Sequence, residues 1–203
     1  MMGPVDPVAP AAPSAAPFAR LERIAGGRSG LLIVGLWAFA EAIAFPIVPD
    51  VAIGLAALVA PRRVLVLFGG LVVGALLGTV ILYGLTILAP DAVQAMLLAL
   101  PGIRPPMLDA AQVTVAGGAP GSLALFGPGT PLKVFTWAWA MGPGTPLALL
   151  AGVVLNRITR IGPALAALTV VGMVAPDFLR RHHRLVLATY ALFYLATYVL
   201  YWR

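Results

Sequence analysis

The sequence predicts an all-α, polytopic membrane protein with two inverted re-entrant helical hairpins and about three full transmembrane helices. Hydrophobic residues make up 61% of the 203-residue chain and charged residues only 10%, against about 25% charged in soluble domains. Two apolar runs are interrupted by paired prolines, Pro46 with Pro49 and Pro128 with Pro131. Three further apolar runs approach or exceed the ~20 residues that a helical span needs.

Composition excludes several functional classes. The chain has no cysteine, so a disulfide framework and thiolate chemistry are excluded, and we expect neither a metal site nor a cofactor. The net charge of +6 does not indicate nucleic-acid binding, because the basic residues flank apolar runs as topology determinants do. H-E-x-x-H and G-x-S-x-G motifs are absent, and the two histidines, His182 and His183, are adjacent in a basic segment. We therefore expect a protein that is not an enzyme, with both histidines solvated.

The N-terminal region differs from the rest of the chain. Residues 1–19 are rich in proline and alanine and nearly uncharged, which is typical of a disordered tail. Residues 18–28 predict a short interfacial helix with its arginines near lipid headgroups. Residues 20–203 are predicted to form a single membrane domain.

The first unit of this domain, residues 30–88, contains a broken apolar run and then a glycine-rich span. Neither arm of the broken run, residues 31–45 or 51–60, reaches the length of a span. Pro46 and Pro49 lack an N–H group and push the residue before each of them out of the helical region. Broken backbone is tolerated in lipid only where it is buried in protein or lines a wet cavity. The pattern therefore favours a re-entrant hairpin.

The remainder of the chain follows a similar plan. Residues 89–121 are more polar and predict short amphipathic helices outside the membrane. Residues 122–172 contain the second hairpin and its span, and residues 176–184 a basic loop. The last predicted span covers residues 185–202, whose tyrosines and tryptophan suit an aromatic belt at one membrane interface.

Arginine positions predict the orientation of the chain. If both broken runs are re-entrant and residues 64–88 and 146–172 cross, most arginines fall on one side, which the positive-inside rule makes cytoplasmic. We therefore expect a multi-pass protein of the cell (cytoplasmic) membrane with a cytoplasmic N-terminus. Arginine counts do not distinguish a re-entrant first run from two spans, since both place its flanking arginines together. The short arms favour re-entrance.

Five charged residues lie within or beside the apolar runs, where a carboxylate costs about 3 kcal/mol on insertion scales. Glu41 and Asp50 flank the first proline break, and Lys133 follows the second. Arg157 and Arg160 share one face of the next span. If the hairpins face each other, the five groups meet and leave one net positive charge when both acids are ionised. A lipid phosphate suits that excess, because arginine binds phosphate bidentately and half-helix N-termini add positive dipole.

We therefore expect Glu41 and Asp50 to act in transport and proton coupling, and Lys133, Arg157 and Arg160 to bind an anionic headgroup. Protonation of either acid would free a cation for that headgroup. Simpler roles remain open: Asp50 as the N-cap of the second arm, Glu41 as a structural partner of a cation, Lys133 snorkelling to an interface, and both arginines as boundary residues.

The two proline motifs belong to a suggested internal repeat. Pro46-x-x-Pro49 recurs as Pro128-x-x-Pro131, 82 residues later (128 − 46). The same offset aligns further residues without gaps: Ala56 with Ala138, Pro61 with Pro143, Leu65 with Leu147, Leu67 with Leu149, Gly70 with Gly152 and Val72 with Val154. One span separates the units, so they enter from opposite sides. Many transporters use this plan, in which interrupted helices meet at the bilayer midplane.

These motifs also carry a family resemblance. An acidic residue precedes a Pro-x-x-Pro hairpin, and a glycine-rich span and a second proline hairpin follow. In this order the chain resembles the DedA superfamily, whose domain is called VTT or SNARE-associated Golgi protein. The segments P-x-x-P-L-K-V-F-T at 128–136 and N-R-I-T-R at 156–160 are similar to its YqaA-type branch.

The resemblance implies paired re-entrant hairpins and the movement of lipids or solutes across a membrane. Polyprenyl-phosphate recycling and phospholipid scrambling are the activities proposed for the superfamily, with proton coupling in some bacterial members. Glu41 and Asp50 resemble its hairpin acids. Lys133 stands where many members have the second of two hairpin arginines, and Gly127 replaces the first.

The function expected from these observations is a transporter, scramblase or flippase for a phosphate-bearing lipid. Its expected partners are membrane lipids, through their phosphate headgroups, and protons. A proton-coupled small-solute transporter and a non-catalytic membrane assembly protein are the alternatives.

Overall fold

The computed structural model describes residues 16–116 and 130–202, and within these ranges the chain is helical and contains no strand. In chain order the helices are α1 (Ala16–Gly26), α2 (Arg28–Ile43), α3 (Asp50–Val59), α4 (Val64–Leu88), α5 (Pro90–Leu98), α6 (Pro105–Val115), α7 (Leu132–Ala140), α8 (Pro146–Val174), α9 (Pro176–Arg181) and α10 (His183–Trp202), with a 3₁₀ turn (Pro61–Arg63) before α4. Helices α5, α6, α8 and α9 begin with proline, which suits the first helical position because the N–H there has no partner in the helix.

Three helical segments are long and apolar enough to cross a membrane. They are Pro61–Leu88, Pro146–Val174 and His183–Trp202. These segments correspond closely to the spans predicted over residues 64–88, 146–172 and 185–202. The all-α class is therefore confirmed for the described residues, and the three long apolar helices are compatible with a membrane protein.

Helix α4 is central to the fold, and α2 packs along it through glycines. A side chain on Gly74 would collide with the carbonyl group of Gly35. A Cβ atom on Gly78 would lie 2.5 Å from the carbonyl oxygen of Phe39. Such small residues let helix backbones approach closely. This contact fixes α2, which carries Glu41, against the span.

The first broken run is interrupted where its prolines lie. Helix α2 ends at Ile43 and α3 begins at Asp50, so Pro46 and Pro49 occupy a non-helical segment between them. Helix α3 has 10 residues and is about 15 Å long, half the ~30 Å thickness of a bilayer core.

The second broken run is described only in part. Pro131 has extended backbone and is the N-cap residue of α7. Pro128 and Gly127 lie outside the described residues, as does the arm predicted to precede them. The described part of this unit therefore consists of Pro131, helix α7 and the long apolar helix α8.

Helix boundaries follow the suggested repeat. The first residues of α3 and α7, Asp50 and Leu132, are 82 positions apart (132 − 50). The first residues of α4 and α8, Val64 and Pro146, have the same separation (146 − 64). The offset between the proline motifs thus also relates two helices of one unit to two helices of the other.

Two predicted segments differ from the structure. Helix α1 begins at Ala16, inside the predicted tail of residues 1–19, of which residues 1–15 lie outside the described part. The predicted basic loop over residues 176–184 contains the short helix α9 and the start of α10. An initial proline favours α9 because its fixed backbone angle and missing N–H group suit the first helical position. The acid in its first turn and the two arginines in its last turn match the helix dipole.

One histidine prediction is also wrong. His183 is buried, with 6% of its surface exposed, although both histidines were expected to be solvated. Its Nδ1 atom lies 3.0 Å from the carbonyl oxygen of Arg180, and its ring lies near that of Phe18. Helix α1 covers this position, which a local reading of the basic segment could not reveal.

Candidate functional site

A buried ionic cluster joins helices α2, α7 and α8. Nζ of Lys133 donates to Oε1 of Glu41 at 3.4 Å, and Nη2 of Arg157 donates to Oε2 of the same carboxylate at 2.5 Å. The exposed fractions of Glu41, Lys133 and Arg157 are 2%, 2% and 5%. One carboxylate thus faces two cations, and the cluster carries one net positive charge when all three groups are ionised.

Lys133 also satisfies a backbone group that the proline break leaves without a partner. In a continuous helix the carbonyl oxygen of Phe45 would accept from residue 49, but Pro49 has no N–H group. Nζ of Lys133 donates to this carbonyl oxygen instead, at 3.2 Å. The lysine of the second unit therefore completes the backbone of the first.

Two aromatic side chains satisfy other backbone groups of the same segment. Nε1 of Trp37 donates to the carbonyl oxygen of Ile47 at 2.8 Å. The N–H group of Val48 donates to the hydroxyl of Tyr198 on α10 at 2.7 Å. Non-helical backbone that is removed from water requires such partners. The break is thus held in place by side chains from three helices.

Asp50 begins α3 and lies beside the cluster, but it does not cap the helix. Pro49 occupies the N-cap position, and no side chain makes a capping hydrogen bond there. Oδ1 of Asp50 is buried and has no hydrogen-bond partner among the described residues. The simpler role of Asp50 as an N-cap is therefore wrong.

The ionic cluster and Asp50 line a pocket of about 210 Å³. The pocket lies between the first break, the start of α7, and helices α8 and α10. Its charged and tyrosine lining consists of Glu41, Asp50, Lys133, Arg157, Arg160, Tyr194, Tyr198 and Tyr201. Nε of Arg157 is buried and has no hydrogen-bond partner among the described residues. The pocket therefore combines an excess cation with an unused donor.

The structure brings four of the five expected charged residues together at this pocket and leaves the fifth at its rim. Arg160 is exposed, and its Nη1 donates to the carbonyl oxygen of Thr130 at 3.2 Å. Burial contradicts one simpler role, because Nζ of Lys133 binds Glu41 inside the protein and does not snorkel to an interface. The contacts of Glu41 suit both a structural and a transport role.

Sequence reasoning missed the tyrosines of α10 as part of the site. The hydroxyl of Tyr190 donates to the carbonyl oxygens of Asp50 (3.3 Å) and Val51 (2.9 Å), and Tyr194 and Tyr198 line the pocket. These three tyrosines are four residues apart and so share a helix face. That spacing was the available signal, since a belt would cluster at one end of a helix.

No family model, curated protein or solved structure matches this chain. The five charged side chains of the site carry one net positive charge when both acids are ionised, and two when one acid is protonated. Among the described residues no group of three histidine, cysteine or acidic side chains could hold a metal ion. The arrangement suits an anion, with a proton-accepting acid beside it.

Proposed function

We propose that the chain is a DedA-like membrane transporter or scramblase that moves a phosphate-bearing lipid, either a polyprenyl phosphate or a phospholipid, across the cytoplasmic membrane. The supporting observation is the buried cluster of Glu41, Lys133 and Arg157. It lies where the two units meet and leaves an excess cation beside a pocket. A purely structural ion pair would need neither the excess charge nor the pocket.

Two re-entrant hairpins form the framework of this proposal. The α2–α3 hairpin enters from the cytoplasmic side, where the N-terminus lies, and α7 is the returning arm of the second hairpin, which enters from the opposite side. The ~15 Å length of α3 supports this arrangement, because it reaches only to the middle of the bilayer. The shared 82-residue offset of α3–α4 and α7–α8 supports an inverted pair.

The pocket accepts the headgroup of the lipid and leaves its chains outside. A volume of about 210 Å³ lies below the ~300–1,000 Å³ of pockets that enclose drug-sized ligands. The unused Nε of Arg157 and the rim guanidinium of Arg160 supply charge-assisted hydrogen bonds to phosphate oxygens. The apolar chains follow through the surrounding bilayer while the headgroup passes.

Asp50 couples this movement to protons. Its buried, unpartnered Oδ1 faces the same cations that bind the phosphate. As an anion it competes with the phosphate, and as a neutral acid it leaves the cations free. Headgroup binding is therefore accompanied by proton uptake at Asp50, and headgroup release by proton loss.

Proteoliposomes containing the purified full-length chain test this proposal. Labelled phospholipid or polyprenyl phosphate is expected to equilibrate between leaflets faster than in protein-free vesicles. Asp50→Asn keeps the shape of the side chain but cannot ionise, so we expect at least a tenfold slower exchange under a pH gradient. Asp109→Asn, at an exposed position on α6, is the matched control and should exchange lipid at the wild-type rate.

Wild-type exchange no faster than in empty vesicles would refute lipid movement. The small size of the pocket favours a proton-coupled transporter of a small anionic solute as the second candidate. Uptake of inorganic phosphate or a small carboxylate without lipid exchange would select it. Release of inorganic phosphate from the lipid would instead indicate an enzyme, and normal exchange by Asp50→Asn would remove Asp50 from the mechanism.

A further inference from the structure

A second cleft lies at the opposite end of α3 from the charged pocket. It has a volume of about 560 Å³ and is formed by α1, the end of α3, the 3₁₀ turn, the end of α8, and α9. Its charged lining residues are Glu22, Arg62, Arg63 and Arg180. Nε and Nη2 of Arg180 donate to Oε1 of Glu22, both at 3.1 Å. The acid is thus occupied, and Arg62 and Arg63 leave two positive charges at the cleft.

These two arginines have no partner of their own in the described part of the chain. Neither guanidinium forms an ion pair or a hydrogen bond with residues 16–116 or 130–202. Both side chains are exposed, and they stand directly before α4, at the end of a membrane-crossing segment. This is the depth at which basic side chains meet lipid headgroups.

An apolar groove between α4 and α8 begins at this cleft. Pro61, Arg62 and Met173 line both, and the groove has a volume of about 560 Å³. From Met173 to Ile158 it follows α8 for about 22 Å at 1.5 Å per residue. Among its described lining residues only Arg62 and Thr169 are polar, and the Thr169 hydroxyl donates within its own helix. The groove is therefore as long as one leaflet is thick, and it is apolar throughout that depth.

We propose that the cleft and the groove together bind one anionic phospholipid. Its phosphate lies between Arg62 and Arg63, and one acyl chain follows α8 from Met173 towards Ile158. Charge complementarity selects an anionic headgroup, because a cationic mouth opens directly into a groove at hydrocarbon depth. This site is separate from the transport pocket, which α8 lines with Arg157 and Ile161, and it does not depend on the proposed function.

Lipid retention by the purified full-length chain tests the proposal. The chain is exchanged into an equal mixture of phosphatidylglycerol and phosphatidylcholine, and bound lipid is counted by native mass spectrometry. We expect wild type to retain at least fivefold more phosphatidylglycerol than phosphatidylcholine. The double substitution Arg62→Gln with Arg63→Gln should remove this preference, because the amides carry no charge.

A second pair of variants tests the groove. Ala166 lines it, whereas the neighbouring Ala167 is exposed and does not. Ala166→Phe should lower retention of phosphatidylglycerol at least fivefold by filling the groove, and Ala167→Phe should retain it as wild type does. Unfolding temperatures close to that of wild type establish that each variant is folded.

A preference below fivefold in wild type would overturn the proposal, as would an unchanged preference in the double arginine variant. Equal retention by the two alanine variants would place the chain of the lipid elsewhere. A dimer that retains no phospholipid would assign the groove to a second copy of the chain and would equally contradict the proposal.

Discussion

Glu41 is the carboxylate that both buried cations of the cluster share. Nζ of Lys133 has a backbone carbonyl as a further acceptor, whereas the guanidinium of Arg157 has only Glu41 among the described residues. Loss of the carboxylate would therefore leave the buried guanidinium of Arg157 without its ion-pair partner. An unpaired buried charge destabilises the fold by more than an intact buried ion pair stabilises it.

Replacement of Glu41 should consequently weaken the fold. We expect Glu41→Gln to lower the free energy of unfolding by about 3–5 kcal/mol, the usual effect of removing one partner of a buried ion pair. Glu22→Gln breaks the surface pair with Arg180 and should change it by at most about 1 kcal/mol. Denaturant unfolding in detergent micelles measures both. Similar losses in the two variants would mean that the cluster is solvated.

Tyr198 offers a test of how firmly the helix break is held. Tyr198→Phe removes the acceptor for the N–H group of Val48, and an unsatisfied buried donor costs about 1–3 kcal/mol. We expect hydrogen exchange at Val48 to become roughly tenfold faster or more. The hydroxyl of Tyr83 has no hydrogen-bond partner among the described residues, so Tyr83→Phe is the control. Unchanged exchange in Tyr198→Phe would show that water replaces the hydroxyl.

At this scale the sequence identifies the charged residues but not their pairing. Charge within an apolar run is costly, so Glu41, Lys133 and Arg157 stand out from their surroundings. Which arginine reaches Glu41 depends on the rotation of α8 and on the path of α2, which no local pattern contains. Arg157 and Arg160 were therefore equal candidates, and only one of them is buried.

Among the secondary-structure elements, α2 and α4 depend most directly on residue size. Backbone atoms of α2 occupy the space next to Gly74 and Gly78, where other residues carry a side chain. The two helices therefore cannot keep their separation if either glycine is replaced by a large residue. The position of Glu41 depends on the same contact.

We expect Gly74→Leu to separate α2 from α4 and lower the unfolding free energy by at least ~2 kcal/mol, in the upper range of overpacking effects. Gly69→Leu is the matched control, because a Cβ atom there meets nothing within 4 Å. Thermal unfolding in detergent compares the two. If both variants melt together with wild type, close backbone packing does not hold the helices.

Element boundaries were the most predictable feature of the chain. The spans and the proline-initiated helices follow from local hydropathy and from the missing N–H group of proline. Helix α9 was missed because a short stretch rich in arginine has no apolar periodicity, and the burial of His183 depends on α1, a distant element. The tyrosines of α10 were assigned to the membrane interface because their hydrogen bonds to the first break also depend on a distant element.

Considered as a whole, the molecule separates its charges between the two related units. Glu41 and Asp50 belong to the first unit, and Lys133 and Arg157 to the second. With the 82-residue offset, the position equivalent to Arg157 in the first unit is Ala75, which is fully buried. The site therefore requires both units, although their helices begin at equivalent positions.

The re-entrant topology can be tested directly, because the native chain has no cysteine. Single cysteines at Arg63 and Arg181 should react with a membrane-impermeant reagent from one side, and one at Asp109 from the other. We expect Ile47→Cys, at the helix break, to be protected from both sides, because the proposed re-entrant topology places the break at mid-bilayer. Labelling of Ile47→Cys from the side of Asp109 would instead show that α2 and α3 both span.

Helix α10 meets the rest of the chain in an unusual manner for an apolar span. His183 is the buried residue of α10, and the hydroxyls of Tyr190 and Tyr198 bond to the backbone around the first break. Apart from partly buried apolar contacts, such as that of Val186, displacing α10 would therefore break mainly these hydrogen bonds. The ion pairs of Glu41 with Lys133 and Arg157 include no residue of α10, so they would stay assembled if α10 moved away from the pocket that it lines.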